Sequence, residues 1–194
     1  LVAQNADSEK VPVALAQTYF AIQTRKHELY ESLSEDEKRL LIRQEVVEHN
    51  KQLFKTAQDH GVRNFGYFND AGYKGLYGMT AKEIETAKNL EGDKLLDRAG
   101  ATELAANLFR ITQTDEQLQE RNTKEGRVGE HSAVRTHFVV GGKVRKAIKD
   151  IGGKMPEELS PAEHIKEVEK RIGSRQPMKI DKPFKETLQR IAHV

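Results

Sequence analysis

Apolar side chains recur every three or four residues along most of this 194-residue chain. That spacing puts them on one side of a helix, so the pattern predicts a mainly α-helical fold. The longest periodic stretch is 35–60, with the spacing of a capping box at Ser34 and Glu37 and a stop at Gly61. Its apolar stripe is longer than one small core needs. We therefore predict an elongated helical domain in which part of this helix packs against a partner chain or an arm.

Several shorter helices are predicted from the same periodicity and from capping residues. They lie at 9–31, from Thr80, around Lys94–Arg98, from Thr102, at 131–151 and from Ser160 to near Gly173. Residues 121–130 are the predicted flexible connection. His137–Val140 could instead be a strand, with Gly141–Gly142 as its turn. We favour a helix, because the apolar spacing continues through the two glycines, which would let another helix approach closely.

Residues 62–79 have a different composition, because four glycines alternate with five of the chain's twelve aromatic residues. A linker would lack these rings, so the segment is predicted to be a compact glycine- and aromatic-rich loop. The rings could form a local core, or they could be available to a ligand.

The overall composition narrows the class of protein. There is no Cys, which excludes disulfides, thiolate metal sites and a cysteine nucleophile. No apolar run is long enough to cross a membrane, and no N-terminal signal peptide is recognisable, so a cytoplasmic location is expected. The net charge of +2 hides an asymmetry: residues 1–120 carry a net −5 and residues 121–154 a net +6. Such asymmetry permits a polyanionic partner without requiring one.

Motifs for catalysis, metal binding and cofactor binding are missing from the sequence. The Gly142–Lys143 pair lacks the other residues of a phosphate-binding loop, and neither a His-Glu-x-x-His nor a Gly-x-Ser-x-Gly motif occurs. The abundant carboxylates fit helix faces, where pairing with Lys explains them. We therefore expect a protein that is not an enzyme and holds no metal or cofactor.

Two groups of residues are candidate binding sites. Clustered Lys and Arg neutralise phosphates, and aromatic side chains beside cations can stack on unpaired bases. The first group is the basic helix of Arg135, Lys143, Arg145, Lys146 and Lys149 together with His137. The second is the aromatic loop with Arg63, Tyr67, Tyr73, Lys74 and Tyr77. A solvated basic helix face and a local aromatic core are the simpler explanations, and His137 is better explained as a structural histidine than as a catalyst.

Five stretches of the chain together resemble one bacterial protein family. They are LAQTYFAIQTR (15–25), EHNKQL (48–53), GYKGLYG (72–78), TELAANLFRITQT (102–114) and THFVVGGKVRKAIKDIGGKMPEEL (136–159). In this order they are similar to the C-terminal part of the DNA-damage-inducible protein D (DinD) family, which belongs to the SOS response. Because the match runs over most of the chain, it is more specific than any single motif.

The resemblance implies a domain organisation. Family members begin with a BRO-N-type domain, so residues 1–31 would be the last helix of a truncated BRO-N-type module, in a chain that is a fragment of something longer. A helical domain at 32–120 would contain the loop 62–79. The basic helix and the helix after it would occupy 131–173, followed by a tail at 174–194.

The resemblance also implies a function: modulation of recombination by antagonising RecA filaments on single-stranded DNA, without catalysis. The expected partners are the RecA filament, DNA itself and a second copy of the chain in a homodimer. Two alternatives stay open. One is a DNA-binding transcriptional regulator or antirepressor of the BRO-N type, and the other is a helical dimerisation module.

Overall fold

The computed structural model describes residues 30–90 and 92–174. Every regular element in this part of the chain is helical, which confirms the mainly α-helical class. The six α-helices are α1 (Glu35–Asp59), α2 (Phe65–Tyr77), α3 (Ala81–Ala87), α4 (Ala101–Glu125), α5 (Glu130–Asp150) and α6 (Ile165–Ser174), with 3-10 turns at Leu95–Asp97 and Pro156–Glu158. Nearly all of the predicted helix 9–31, and the tail beyond Ser174, lie outside the described residues.

The long helix α1 begins as the sequence predicts. Ser34 accepts a hydrogen bond from the Glu37 backbone N–H at 3.3 Å, and the Glu37 carboxylate accepts one from the Ser34 backbone N–H at 2.8 Å, which is a capping box. The chain divides into two units, 1–38 and 39–194, so this cap belongs to the first unit and most of α1 to the second.

The core of the second unit has two apolar clusters. The first cluster contains Leu53 of α1, Phe68 of α2 and Leu104 of α4, together with residues of α5. The second surrounds Leu76 and Tyr77 of α2 and includes residues of α3 and α5. Because α2 and α5 both contribute to the two clusters, the contact between these two helices connects the two parts of the core.

The segment that contains α2 was predicted to be a loop, and this prediction is wrong. Asn64 caps the helix by accepting a hydrogen bond from the Tyr67 backbone N–H at 3.0 Å, and Gly78, with φ 75°, ends it. Glycine disfavours a helix by about 1 kcal/mol per residue relative to alanine. Burial of apolar side chains on α2 offsets this cost, and two of its glycines face another helix rather than forming turns.

A close contact between α2 and α5 explains these glycines. A Cβ atom on Gly75 would overlap the Phe138 carbonyl oxygen and lie 3.0 Å from the Gly141 Cα. A Cβ on Gly141 would lie 2.8 Å from the Gly72 carbonyl oxygen. The two backbones thus touch where neither helix has a side chain. This confirms the helical interpretation of 137–142 and the role predicted for Gly141, whereas Gly142 has open space beside it.

The residues between α5 and α6 form a strap across other elements of the second unit. We use the name strap for residues 156–163. Lys88 donates to two of its carbonyl oxygens, those of Pro156 at 2.9 Å and Leu159 at 3.0 Å. Arg39 donates to the Glu163 carbonyl oxygen at 2.6 Å. After the 3-10 turn, residues 159–164 are not helical, so the helix predicted from Ser160 begins only at Ile165.

The boundary between α4 and α5 also differs from the sequence prediction. The predicted flexible connection 121–130 is largely helical, because α4 continues to Glu125 and only residues 126–129 link it to α5. His60 fixes this link, since it accepts a hydrogen bond from the Val128 backbone N–H at 3.1 Å.

On α1, Leu41 is 40% exposed, and the predicted contact of this helix with a partner stays a prediction.

Candidate nucleic-acid interface

A cleft of about 360 Å³ lies between α2 and α5. We call it the α2/α5 cleft. Its walls are formed by Tyr67, Asp70, Ala71 and Lys74 of α2 and by His131, Val134, Arg135 and Phe138 of α5. On each helix they occupy positions i, i+3, i+4 and i+7, so each set lies on one helix face. The cleft falls within the size range of small-ligand sites, about 300–1,000 Å³.

Two attachments hold the walls of the cleft together. At the start of both helices, the Glu130 carboxylate accepts hydrogen bonds from the backbone N–H groups of Arg63, at 3.3 Å, and Asn64, at 2.9 Å. Further along, α2 and α5 touch at Gly75 and Gly141. The cleft residues lie between these two attachments in both helices. The two walls are therefore held at one end by the Glu130 side chain on two backbone N–H groups and at the other end by a direct backbone contact.

The rings in the cleft are unusually exposed for large aromatic side chains. Tyr67 is 56% exposed and Phe138 is 49% exposed. Ala71 and Val134, at 6% each, are buried between the two helices. The cleft thus has small apolar residues at its base and an aromatic ring on each wall.

The charge in the cleft is predominantly positive. Lys74 and Arg135 are exposed, and neither has a carboxylate within ion-pair distance among residues 30–90 and 92–174. The one carboxylate in the cleft, Asp70, accepts a hydrogen bond from the Ala81 backbone N–H at 3.0 Å, which ties it to the start of α3. Cations beside exposed rings can hold phosphates while the rings stack on bases.

The predicted basic helix is only partly available for binding. Arg135 lines the cleft, and Lys143 and Lys149 are exposed further along α5. Lys146 is paired with Asp150 on the same helix. Arg145 is paired with Glu157 and also donates to the Leu76 carbonyl oxygen at 2.9 Å. Arg145 therefore joins α5 to α2 and to the strap, and its charge is neutralised within the fold.

As with the cations of the basic helix, only some residues of the predicted aromatic loop are available for binding. Tyr67 and Lys74 line the cleft, but Tyr73 and Tyr77 are 6% and 1% exposed. The Tyr77 hydroxyl donates to the Glu103 carboxylate at 2.9 Å. Tyr73 and Tyr77 are therefore core residues, out of reach of a base, as the alternative of a local core implied. The Arg63 side chain is exposed but does not line the cleft.

Phe138 is the site residue that the sequence pattern misplaced. It fits the apolar stripe of α5, yet its ring lies at the open edge of the cleft and His137 beside it is buried. Adjacent helical residues are about 100° apart around the axis, so the buried His137 leaves Phe138 turned towards the edge of the core. A histidine next to the phenylalanine of the apolar stripe was the signal in the sequence.

His137 has a structural role, as predicted. Its Nδ1 atom is 3.0 Å from the Phe68 carbonyl oxygen, so Nδ1 carries the proton and Nε2 accepts a hydrogen bond from Arg110. Burial lowers the pKa of His137 well below its usual range, and the charge of Arg110 lowers it further. Being fully buried, this side chain cannot reach nucleic acid or a filament directly.

The low pKa of His137 predicts that acid destabilises the fold. The unfolded chain binds a proton at this histidine near pH 6.5, while the folded chain does not. The free energy of unfolding should therefore fall below pH 6.5, by up to about 1.4 kcal/mol per pH unit. Urea unfolding at pH 7.5, 6.5 and 5.5 measures the free energy of unfolding. The variant His137→Gln should reduce the slope of this free energy against pH. His131→Gln, at an exposed position on the same helix, is the control; an equal slope in both variants would contradict the assignment.

The chain resembles known proteins over most of its length. The family model described as the DinD C-terminal domain matches residues 33–168. The chain is 49% identical over 183 residues to the DNA damage-inducible protein D of Escherichia coli (strain K12), with 89% of this chain covered. It spans 65% of the length of that relative. No solved structure matches, no described helix is long and apolar enough to span a membrane, and no group of three metal-ligating side chains occurs in the described residues.

Proposed function

Since this chain belongs to the family of the DinD C-terminal domain, we propose that it acts in the response to DNA damage. In this proposal it is a non-enzymatic antagonist of RecA filaments on single-stranded DNA. The name of the similar E. coli protein, which refers to induction by DNA damage, supports the general role. The more specific role, against RecA, is the hypothesis to be tested.

The observation that carries the proposal is a set of exposed cations on α5 that have no ion-pair partner among residues 30–90 and 92–174. Arg135 and Lys149 are fourteen residues apart, which brings them to the same side of the helix about 21 Å apart. Lys143 lies between them in sequence and is also exposed. With Lys74 across the cleft, these cations form a basic surface that suits a polyanion.

This surface suggests how a protein without catalytic groups could disturb a filament. A RecA filament wraps protein around single-stranded DNA, and its subunits hold on to the strand. A basic surface that binds the same strand competes with them, and each subunit that dissociates exposes more strand. Antagonism then requires binding energy alone, and its strength should fall as salt screens the phosphate contacts.

Charge reversal on α5 tests the proposal. We expect Lys143→Glu combined with Lys149→Glu to raise the concentration needed for filament loss by about tenfold or more, since two charge-assisted contacts are removed. The assay is fluorescence anisotropy of labelled single-stranded DNA, bare and coated with RecA, at two salt concentrations. If the DNA strand is the target, the affinity of the variant should also depend less on salt. The slope of the logarithm of the binding constant against the logarithm of the salt concentration should decrease by about 0.7 for each phosphate contact removed.

The matched control is Lys55→Glu combined with Lys82→Glu, which changes the net charge equally at exposed positions on α1 and α3. It should behave like the unmodified chain. Equal effects in the two double variants would mean that net charge, and not the α5 surface, matters. A sequence-specific footprint on duplex DNA without any effect on RecA would favour the DNA-binding regulator instead.

A further inference from the structure

We propose that the α2/α5 cleft binds one unstacked base of a single-stranded nucleic acid, which stacks on Tyr67 and Phe138 while Lys74 and Arg135 hold the flanking phosphates. This inference rests on the proposed function and deepens it by naming the ligand of the basic surface. A duplex is a poor ligand for such a site, because its bases are already paired and stacked.

The exposure of the two rings is the first argument. Of the nine aromatic side chains in the described residues, five contribute to the two apolar clusters, whereas Tyr67 and Phe138 keep about half of their surface in solvent. They belong to two different helices and meet at the same cleft. Exposed apolar surface of this kind marks a binding site when it is grouped and bordered by polar residues. Here Lys74 and Arg135 form that border.

The second argument is the shape of the cleft. Small residues, Ala71 and Val134, form its base, so a planar group can enter between the helices without displacing a large side chain. Because the Glu130 carboxylate holds one end of the cleft and a backbone contact holds the other, its two walls are positioned before a ligand binds. Such preorganisation reduces the ordering cost of binding.

The third argument is charge, which selects the chemical class of the ligand. Asp70 accepts a hydrogen bond from the Ala81 backbone N–H and keeps its negative charge, but the two cations of the cleft, Lys74 and Arg135, outnumber it and leave the opening with a positive potential. An apolar peptide would leave both cations without partners. A base joined to phosphates on both sides satisfies rings and cations together, and aromatic stacking is sequence-tolerant because every base has a π-face.

The test compares two labelled probes on the 194-residue chain by fluorescence anisotropy at low salt. One is an oligothymidylate, and the other is an abasic oligomer of the same length, which has the same phosphates but no bases. The chain should bind the oligothymidylate at least about fivefold more tightly, because stacking of one base contributes about 1 kcal/mol or more. Equal affinity for the two probes would overturn the inference.

Variants then locate the stacking. Tyr67→Ala and Phe138→Ala should each weaken oligothymidylate binding by about fivefold or more, with little change for the abasic probe. Tyr67→Phe and Phe138→Tyr should retain the affinity, since both keep a ring. Phe109→Ala is the matched control, because Phe109 is 55% exposed but lies on α4, outside the cleft. If Phe109→Ala weakens binding as much as Tyr67→Ala, or if Tyr67→Ala has no effect, the cleft is not the site.

The filament assay separates this inference from the proposed function. Base-dependent binding that requires Tyr67, in a chain that leaves RecA filaments intact, would support the cleft and reject RecA antagonism. Loss of filaments caused by a chain that binds both probes equally would reject the base site and leave the antagonism standing.

Discussion

Replacing Lys88 by Met is expected to lower the free energy of unfolding by about 3–5 kcal/mol, because it leaves a buried carboxylate without its partner. The Lys88 and Glu103 side chains are 4% and 0% exposed, and the Lys88 Nζ atom lies 2.8 and 2.9 Å from the two Glu103 carboxylate oxygens. Burial raises the pKa of Glu103, and the bonds from Lys88 and Tyr77 act against that rise. Without Lys88, the carboxylate must either stay charged in the core or take up a proton.

The same substitution removes more than an ion pair. Lys88 also donates to the Pro156 and Leu159 carbonyl oxygens, so the strap loses two of its attachments. Buried carbonyl groups without donors add to the cost of the variant. The effect should therefore exceed the loss of a surface pair, which is at most about 1 kcal/mol.

Urea unfolding followed by circular dichroism measures this effect. Lys82→Met is the control, because Lys82 is an exposed lysine on the short helix that Lys88 follows; its stability should stay within about 0.5 kcal/mol of the unmodified chain. The double variant Lys88→Met with Glu103→Met should recover part of the loss, since it removes both buried charges. If Lys88→Met unfolded at the same urea concentration as Lys82→Met, the pair would have no stabilising role.

A second large effect is expected at the contact between α2 and α5. Gly141→Ala should destabilise the protein by about 3 kcal/mol, the upper end for overpacking, because the added methyl group meets backbone atoms and not the end of a flexible side chain. It would lie 2.8 Å from the Gly72 carbonyl oxygen and 2.9 Å from the Leu76 nitrogen. Neither atom can move unless the whole of α2 moves.

Gly142→Ala is the matched control for this prediction. The position is one residue away on the same helix, and a Cβ there meets nothing within 4 Å. Alanine favours a helix over glycine by about 1 kcal/mol, so Gly142→Ala should be neutral or stabilising. Thermal unfolding of the two variants gives the comparison, and a loss of similar size at both positions would show that the glycines are needed for a reason other than helix contact.

The sequence predicted those parts of the fold that depend on local information. The capping boxes at Ser34 and Thr80 and the apolar periods of α1, α4 and α5 lie within single helices, and the structure confirms them. The helix α2 was missed because its glycines are selected by a contact with Gly141, almost seventy residues away. Local composition cannot distinguish a glycine in a turn from a glycine against another backbone.

The candidate site was partly predicted for the same physical reason. Lys74 and Arg135 were identified from charge, and Tyr67 from its aromatic neighbourhood, but only the packing of α2 on α5 joins them in one cleft. The charge of Arg145 was counted as available, yet Glu157 neutralises it across the turn that follows α5. Tertiary partners of this kind have no signature in the spacing of one helix.

The strap also affects how the protein is made. Lys88 and Arg39 donate hydrogen bonds to carbonyl oxygens of residues 156–163. These residues leave the ribosome long after Lys88 and Arg39. Until then, both cations lie in a nascent chain whose core has not yet been completed. The second unit therefore reaches its full stability late in translation, and a chaperone or protease would meet α1–α5 first as an incomplete assembly.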